Sequence, residues 1–179
     1  FWPGPLTLIF PKADCVPYKT TGGLDTVAIR MPSHPQARKL LEAVQLPIAA
    51  PSANLSGRPS PTTASHVWED MNGRIDLIVD GGAVGIGVES TIIDLTEEVP
   101  TILRPGYITK EMLEEIVGEV KIDPAIMGVL RPDIHPKAPG MKYRHYAPKA
   151  PVILVEGKTD AVIHFINGKI QERGVNTVG

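Results

Sequence analysis

Apolar and polar positions change period several times along the chain, and each change marks an element. Leu6 to Phe10 and Thr26 to Met31 are short β-rich runs bounded by Pro and Gly, which predicts two strands. At Ser33-His34-Pro35-Gln36 a capping serine stands three residues before glutamine with proline inside the first turn. Ala37, Leu40, Leu41 and Val44 then recur at helical spacing, so a helix follows. Pro47 to Ala50 reads as a brief buried strand feeding the loop that runs from Pro51 to Gly57. A second helix is expected to open at Ser60-Pro61, with Ala64, Val67, Trp68 and Met71 as its apolar stripe. Strands are predicted at Ile75 to Val79, Ser90 to Leu95 and Pro100 to Leu103. Thr109 caps a short helix that carries Met112, Leu113, Ile116 and Val117 on one side.

Strands and helices thus alternate irregularly, with three strands in succession, and an α/β fold with a mixed sheet is expected rather than a purely parallel one. From about Ile122 the pattern dissolves. Pro132, Pro136, Pro139, Pro148 and Pro151 remove too many backbone donors for a helix or a central strand, so this stretch reads as a linker of fixed shape. After it, Val152 to Val155 is expected as a strand, and Thr159 opens a helix with Ala161, Val162, Phe165 and Ile166 inward. This is the pattern of an opening βα unit of a second domain. The expected division is therefore 1–130 for the first domain, 131–150 for the linker and 151–179 for the start of the second.

Composition sharpens this picture. In 179 residues, 42% are hydrophobic and 21% charged, close to globular averages, which argues against a disordered tail or a coiled coil. The 18 prolines and 17 glycines call for many fixed turns rather than long helices. A net charge of -2 argues against a pervasive electrostatic grip on nucleic acid and leaves room for a local basic pocket. The single cysteine, Cys15, rules out an intrachain disulfide framework and suits a reducing cytosol. Apolar runs are too short to span a bilayer, so a soluble, cytoplasmic protein with no membrane partner is expected. The first residues, Phe1-Trp2-Pro3-Gly4-Pro5, begin with two aromatics and no methionine, and the chain ends as an apolar stretch resumes; a fragment is expected.

Chemistry has four candidate locations. The loop from Pro51 to Ser60 gathers Ser52, Asn54, Ser56 and Ser60 between a strand and a helix, where short donors and a helix start suit phosphate or carboxylate. The same side chains could instead cap their own backbone. Gly81 to Thr91 holds four glycines that would let backbone approach a ligand, with Ser90 leading into a strand; a mobile hairpin loop is the alternative. Arg30 and Arg104 each end a strand beside proline, aimed from stiff backbone to hold carboxylate or phosphate, or else to make surface ion pairs. Lys142-Tyr143-Arg144-His145-Tyr146 could stack on a purine and meet phosphate, or be a solvated basic strap. His34, His66, His135, His145 and His164 show no metal-ligand spacing, no Gly-x-Ser-x-Gly elbow is present, and neither a metal site nor a covalent nucleophile is expected. What remains is chemistry by positioning and charge stabilisation, as in phosphoryl and nucleotidyl transfer.

Six stretches together resemble the L-threonylcarbamoyladenylate synthases, which have a YrdC-like catalytic domain and, in longer members, a linker and a Rossmann-like C-terminal domain. They are Trp2-Pro3-Gly4-Pro5-Leu6-Thr7, Val27 to Pro32, Ala49 to Gly57, Glu89-Ser90-Thr91-Ile92, Leu103-Arg104-Pro105-Gly106 and Pro139 to Pro148. The resemblance implies a YrdC-like mixed twisted sheet with flanking helices. It implies an enzyme that condenses L-threonine, bicarbonate and ATP, with Mg²⁺, into threonylcarbamoyl-AMP and pyrophosphate. The product would pass to a tRNA-modifying transferase complex, without stable nucleic-acid binding by this chain. Carried over by position, Arg30, the backbone at Ala50 and Ser90 would hold threonine. Thr26, Ser52, Asn54, Ser60 and Arg104 would lie along ATP, and Tyr143, His145 or Tyr146 would close over it. The family's basic motif upstream of the Trp-Pro-Gly-Pro segment is missing from the sequence, so these 179 residues alone are expected not to make the adenylate. Two rival readings are a non-catalytic RNA-binding YrdC-like module, which the net charge disfavours, and a carbamoyl-transfer domain of hydrogenase maturation, which would lack the strap.

Overall fold

Residues 1–127 and 153–174 are described in a computed structural model, and the chain divides into two compact units, Phe1–Ala147 and Pro148–Gly179. The first unit holds strands β1 (Leu6–Pro11), β2 (Thr26–Arg30), β3 (Thr91–Asp94), β4 (Thr101–Arg104) and β5 (Lys121–Ile122). Helices α1 (Tyr18–Thr21), α2 (Pro35–Val44), α3 (Ala64–Met71) and α4 (Lys110–Val117), with a 3-10 turn at Pro124–Met127, complete it. The second unit contributes α5 (Thr159–Arg173).

The sheet order is β2-β1-β3-β4-β5. β1 runs antiparallel to β2 with Thr7 opposite Arg30, and parallel to β3 with Thr7 beside Ile92. β3 is antiparallel to β4, and β4 parallel to β5, so the sheet is mixed as the irregular alternation implied. Period-two alternation divides the apolar side chains between two faces. On one face Leu6, Ile93 and Ile102 pack with Ile108, Leu113 and Val120, and Leu8 and Met112 lie against them. On the other, Ile9, Ile92 and Leu103 form a smaller cluster. The register shifts between Ile92 and Ile93, which pair with Arg104 and Ile102. Leu103 is therefore an extra residue on β4, and a bulge of this kind sends Leu103 and Arg104 to the same face.

α4 is capped as the sequence indicated, Thr109 Oγ1 accepting from Met112 N at 3.3 Å. Several expectations fail on the same ground. Pro47 to Ala50 are exposed, as are Ile75, Leu77 and Val79 with Ile78 half-buried among them, and neither run forms a strand, because a β-rich run becomes a strand only where an edge is available to pair with it. α2 starts from His34 rather than Ser33, and α3 from Thr63 rather than Ser60, neither with a side-chain cap bond. Trp68, Ile116 and Val117 are exposed, since helical spacing says which residues share a face and not how much surface exists to cover it. In the second unit Ile153 to Val155 is not a strand, Val152 lies outside the described residues, and Ala161 and Phe165 of α5 are exposed while Val162 and Ile166 are half-buried.

Candidate functional site

Residues paired across a sheet project to the same face, so Arg30, Thr7, Ile92 and Arg104 lie in a row over four strands. Ser90, immediately before β3, is buried beside this row, its hydroxyl 2.8 Å from Thr7 Oγ1. Arg104 closes on it from β4. Its Nε and Nη2 donate to the Ser90 carbonyl at 3.1 and 2.9 Å, and Nη2 also donates to Ser90 Oγ at 3.0 Å. Nη1 makes no hydrogen bond among the described residues, leaving one edge of a fixed cation for a ligand anion.

Gly106 explains how Arg104 comes so near. A Cβ there would stand 2.4 Å from Glu89 O and 2.5 Å from Thr91 N, so the Arg104-Pro105-Gly106 turn presses directly on the backbone that carries Ser90. Thr91 Oγ1 donates to Ile108 O at 2.6 Å and ties the same strand from beneath. Glu89 meets both Ser60 and Arg104: Ser60 Oγ donates to its Oε1, and its Oε2 lies 3.6 Å from Arg104 Nη2. Ser60, Ser90 and Arg104, each singled out from sequence, thus form one bonded group with Thr7 and Glu89.

The loop from Pro51 to Ser60 is held by a second carboxylate. Buried Asp70 of α3 accepts from Leu55 N at 3.1 Å and from Arg58 Nη1. Asn54 clasps its own loop, Nδ2 donating to Leu55 O at 3.0 Å and Arg58 O at 3.1 Å. Its Oδ1 is shut off from solvent and has no hydrogen-bond partner among the described residues. Ala50 and Ser52 are exposed, and no hydrogen bond links them or Asn54 to the Ser90 group. The glycine loop is tied back at its start, where His34 Nε2 lies 3.2 Å from Gly81 O and Val84 N donates to Thr62 O at 3.0 Å. Thr26 begins β2 at the end opposite Arg30, about 13 Å away at the strand rise. Next to Thr26, Tyr18 OH donates to Asp25 Oδ1 at 2.8 Å, with Lys12 Nζ 4.1 Å from the Tyr18 ring centroid. This bond, then the Asp25 charge, raises the Tyr18 hydroxyl above its ordinary value. Tyr143, His145 and Tyr146 lie outside the described residues.

Sequence reasoning missed Thr7, Glu89, Asp70 and His34. Only Glu89 carried a signal, as the neighbour of Ser90. Among the described residues, no group of three or more His, Cys, Asp or Glu is gathered as a metal would need.

Residues 1–106 match the Sua5/YciO/YrdC family model, described as telomere recombination, and residues 108–177 match the threonylcarbamoyl-AMP synthase C-terminal domain. The threonylcarbamoyl-AMP synthase of Pyrococcus abyssi is 57% identical over 177 residues, 97% of this chain and 52% of the relative. That of Bacillus subtilis is 53% identical over 167 residues, 93% of this chain and 47% of the relative. The crystal structure of P. abyssi Sua5 complexed with L-threonine superposes with a TM-score of 0.88 at 53% identity, covering all of this chain and 55% of that one. The chain therefore spans about half the length of the relatives it matches. With the Arg104-Pro105-Gly106 turn seated on Ser90, and with the first 106 residues matched by one family model, the chain belongs to the Sua5/YciO/YrdC family.

Proposed function

We propose that this chain contributes the threonine and nucleotide sites of a threonylcarbamoyl-AMP synthase. Two observations support the reading: the joined Thr7, Ser90, Arg104, Glu89 and Ser60 group beside Arg30, and high identity to proteins of that name. The bonded group is the observation that carries it, because it sets a fixed guanidinium edge and hydroxyl groups within reach of one another on a single sheet face.

In the proposed reaction the threonine amine adds to the carbon of bicarbonate, and water leaves to form a carbamate. A carbamate oxygen then attacks the α-phosphorus of ATP in line; the bond to the β-phosphate oxygen breaks and pyrophosphate departs. No covalent enzyme intermediate is needed. Arg30, the Ala50 backbone and Ser90 hold threonine, while Thr26, Ser52, Asn54, Ser60 and Arg104 line the nucleotide. Tyr143, His145 and Tyr146 are proposed to complete the nucleotide side. Arg104, already oriented by Ser90, stabilises charge that develops on phosphate without reorganising during the step. Magnesium enters as the counter-ion of ATP, held by the triphosphate, and no residue of the chain is assigned to it. No described helix is long and apolar enough to cross a membrane, and we place the reaction in the cytoplasm, upstream of a tRNA-modifying transferase complex.

Calorimetry on the complete protein tests this. Mg-ATP affinity is expected to rise when L-threonine is present. Arg104→Ala is expected to weaken ATP by about tenfold or more, the worth of one hydrogen bond to a charged group. Arg30→Ala is expected to weaken threonine instead. ATP binding indifferent to threonine and to both arginines would sink the proposal.

A further inference from the structure

We propose that Glu89 is a positioning residue for the nucleotide side of the site, acting through Ser60 and Arg104 together; this rests on the function proposed above. Among the described residues its carboxylate is the one group that meets both side chains, one from the loop before α3 and one from the bulge of β4. Ser60 Oγ donates to Oε1, and Oε2 sits 3.6 Å from Arg104 Nη2. Both members of the ion pair are largely shielded, the Arg104 and Glu89 side chains being 22% and 29% exposed, so the attraction is screened less than at an open surface. The Glu89 backbone is packed directly against Gly106, which fixes where its side chain starts.

Two consequences follow for the ligand. The Ser60 proton is committed to Glu89, so Ser60 presents lone pairs and accepts a hydrogen bond from a hydroxyl or amine rather than donating to a phosphate. Arg104 is bound along Nε and Nη2, by the Ser90 carbonyl and hydroxyl and by the Glu89 charge, so only Nη1 is turned to an anion. An acceptor and a cationic edge held at a fixed separation match a nucleotide, which carries sugar hydroxyls next to phosphate. Without the carboxylate, Ser60 can rotate to donate, and Arg104 loses the charge on its second side.

The test is Glu89→Gln in the complete protein, an isosteric change that keeps an acceptor for Ser60 and removes the charge. Three quantities are read: affinity for Mg-ATP, affinity for L-threonine, and the Arg104 Nε–H resonance in protein labelled with nitrogen-15 arginine. The expected result is ATP binding weakened about tenfold, threonine binding changed by less than about threefold, and faster solvent exchange of the Arg104 Nε–H. Ser60→Ala is the second variant, and adding it to Glu89→Gln is expected to cost much less than it does alone, since both cut the same unit. Wild-type ATP affinity with an unchanged Arg104 resonance overturns the proposal. So does equal weakening of both ligands with a lower unfolding midpoint, which is the mark of a merely structural carboxylate. If the wild-type protein binds no ATP, the functional reading itself falls, and the Arg104 resonance alone then decides for or against the clamp.

Discussion

The central strands with α4 and the long segment between β2 and β3 are held by different forces. In the first, Ile9, Ile92, Ile93, Ile102, Leu103, Leu113 and Val120 are all at most 4% exposed. Between Met31 and Glu89 the only buried residue is a carboxylate, Asp70. One region is organised by apolar burial, which is non-directional and cumulative. The other is organised by a few polar clasps, Asp70 on Leu55 and Arg58, Asn54 on its own loop, His34 on Gly81 and Glu89 on Ser60. Most of the candidate binding residues belong to, or touch, the second kind. A site that must present polar groups cannot also hide them in a core, so its precision has to come from directional bonds anchored on the rigid sheet.

The contrast is broken most directly by deleting apolar atoms in each region. Ile93→Ala removes a side chain that is 2% exposed and is expected to cost about 2–5 kcal/mol, the lost transfer free energy plus the cavity left behind. Leu77→Ala removes one that is 77% exposed and is expected to stay within about 0.5 kcal/mol. Urea unfolding of both variants measures the gap. A Leu77→Ala cost near that of Ile93→Ala would mean that the segment is covered, and the two regions would no longer differ in kind.

An intermediate effect is expected at the clasp. Asp70→Ala strips the acceptor from Leu55 N and the partner from Arg58, and the loss is expected to be about 1.5–3 kcal/mol, the range for hydrogen bonds to a charged group. Because few apolar contacts link the loop to the sheet, most of that loss is expected to appear locally. The Leu55 amide should exchange with solvent much faster while the Ile93 amide keeps its protection. Equal acceleration at both positions would show the clasp to be part of the global core.

The two regions were also unequally legible in the sequence. The β-rich runs Leu6 to Phe10 and Ser90 to Leu95 marked β1 and β3 correctly because those strands have partners on both sides. The equally β-rich Ile75 to Val79 carried the same local signal, yet pairing is a property of the neighbour, which no local window contains. Thr109 marked the start of α4 correctly, whereas Ser33 and Ser60, just as plausible as caps, were displaced by His34 and Thr63. For the site, Ser60, Ser90 and Arg104 were read from small-residue loops and strand ends, and the structure joins them. Glu89 and Asp70 were not read, since an acidic residue becomes a clasp only when distant donors arrive at it.

The smallest effect concerns helix starts. Thr109 Oγ1 accepts from the Met112 amide, so Thr109→Ala is expected to cost about 1 kcal/mol. Thr63 at the start of α3 bonds to Ser65 Oγ and to no helix amide, so Thr63→Ala is expected to cost only a few tenths of that. Acid sharpens the difference. Glu111 in the first turn of α4 is held below its ordinary value of 4.5, chiefly by its own backbone N–H and then by Thr109. A carboxyl lowered in the folded state stabilises it above the unfolded value, and that contribution is lost as pH falls through the folded one. The difference in unfolding midpoint between wild type and Thr109→Ala should therefore be full near pH 7 and shrink below the ordinary carboxylate range, because the Glu111 charge that Thr109 helps to hold is then absent from both. For Thr63→Ala the difference should stay small and flat across the same range, as no carboxylate is bonded to that hydroxyl; a matching acid dependence there would show that the two helix starts are built alike.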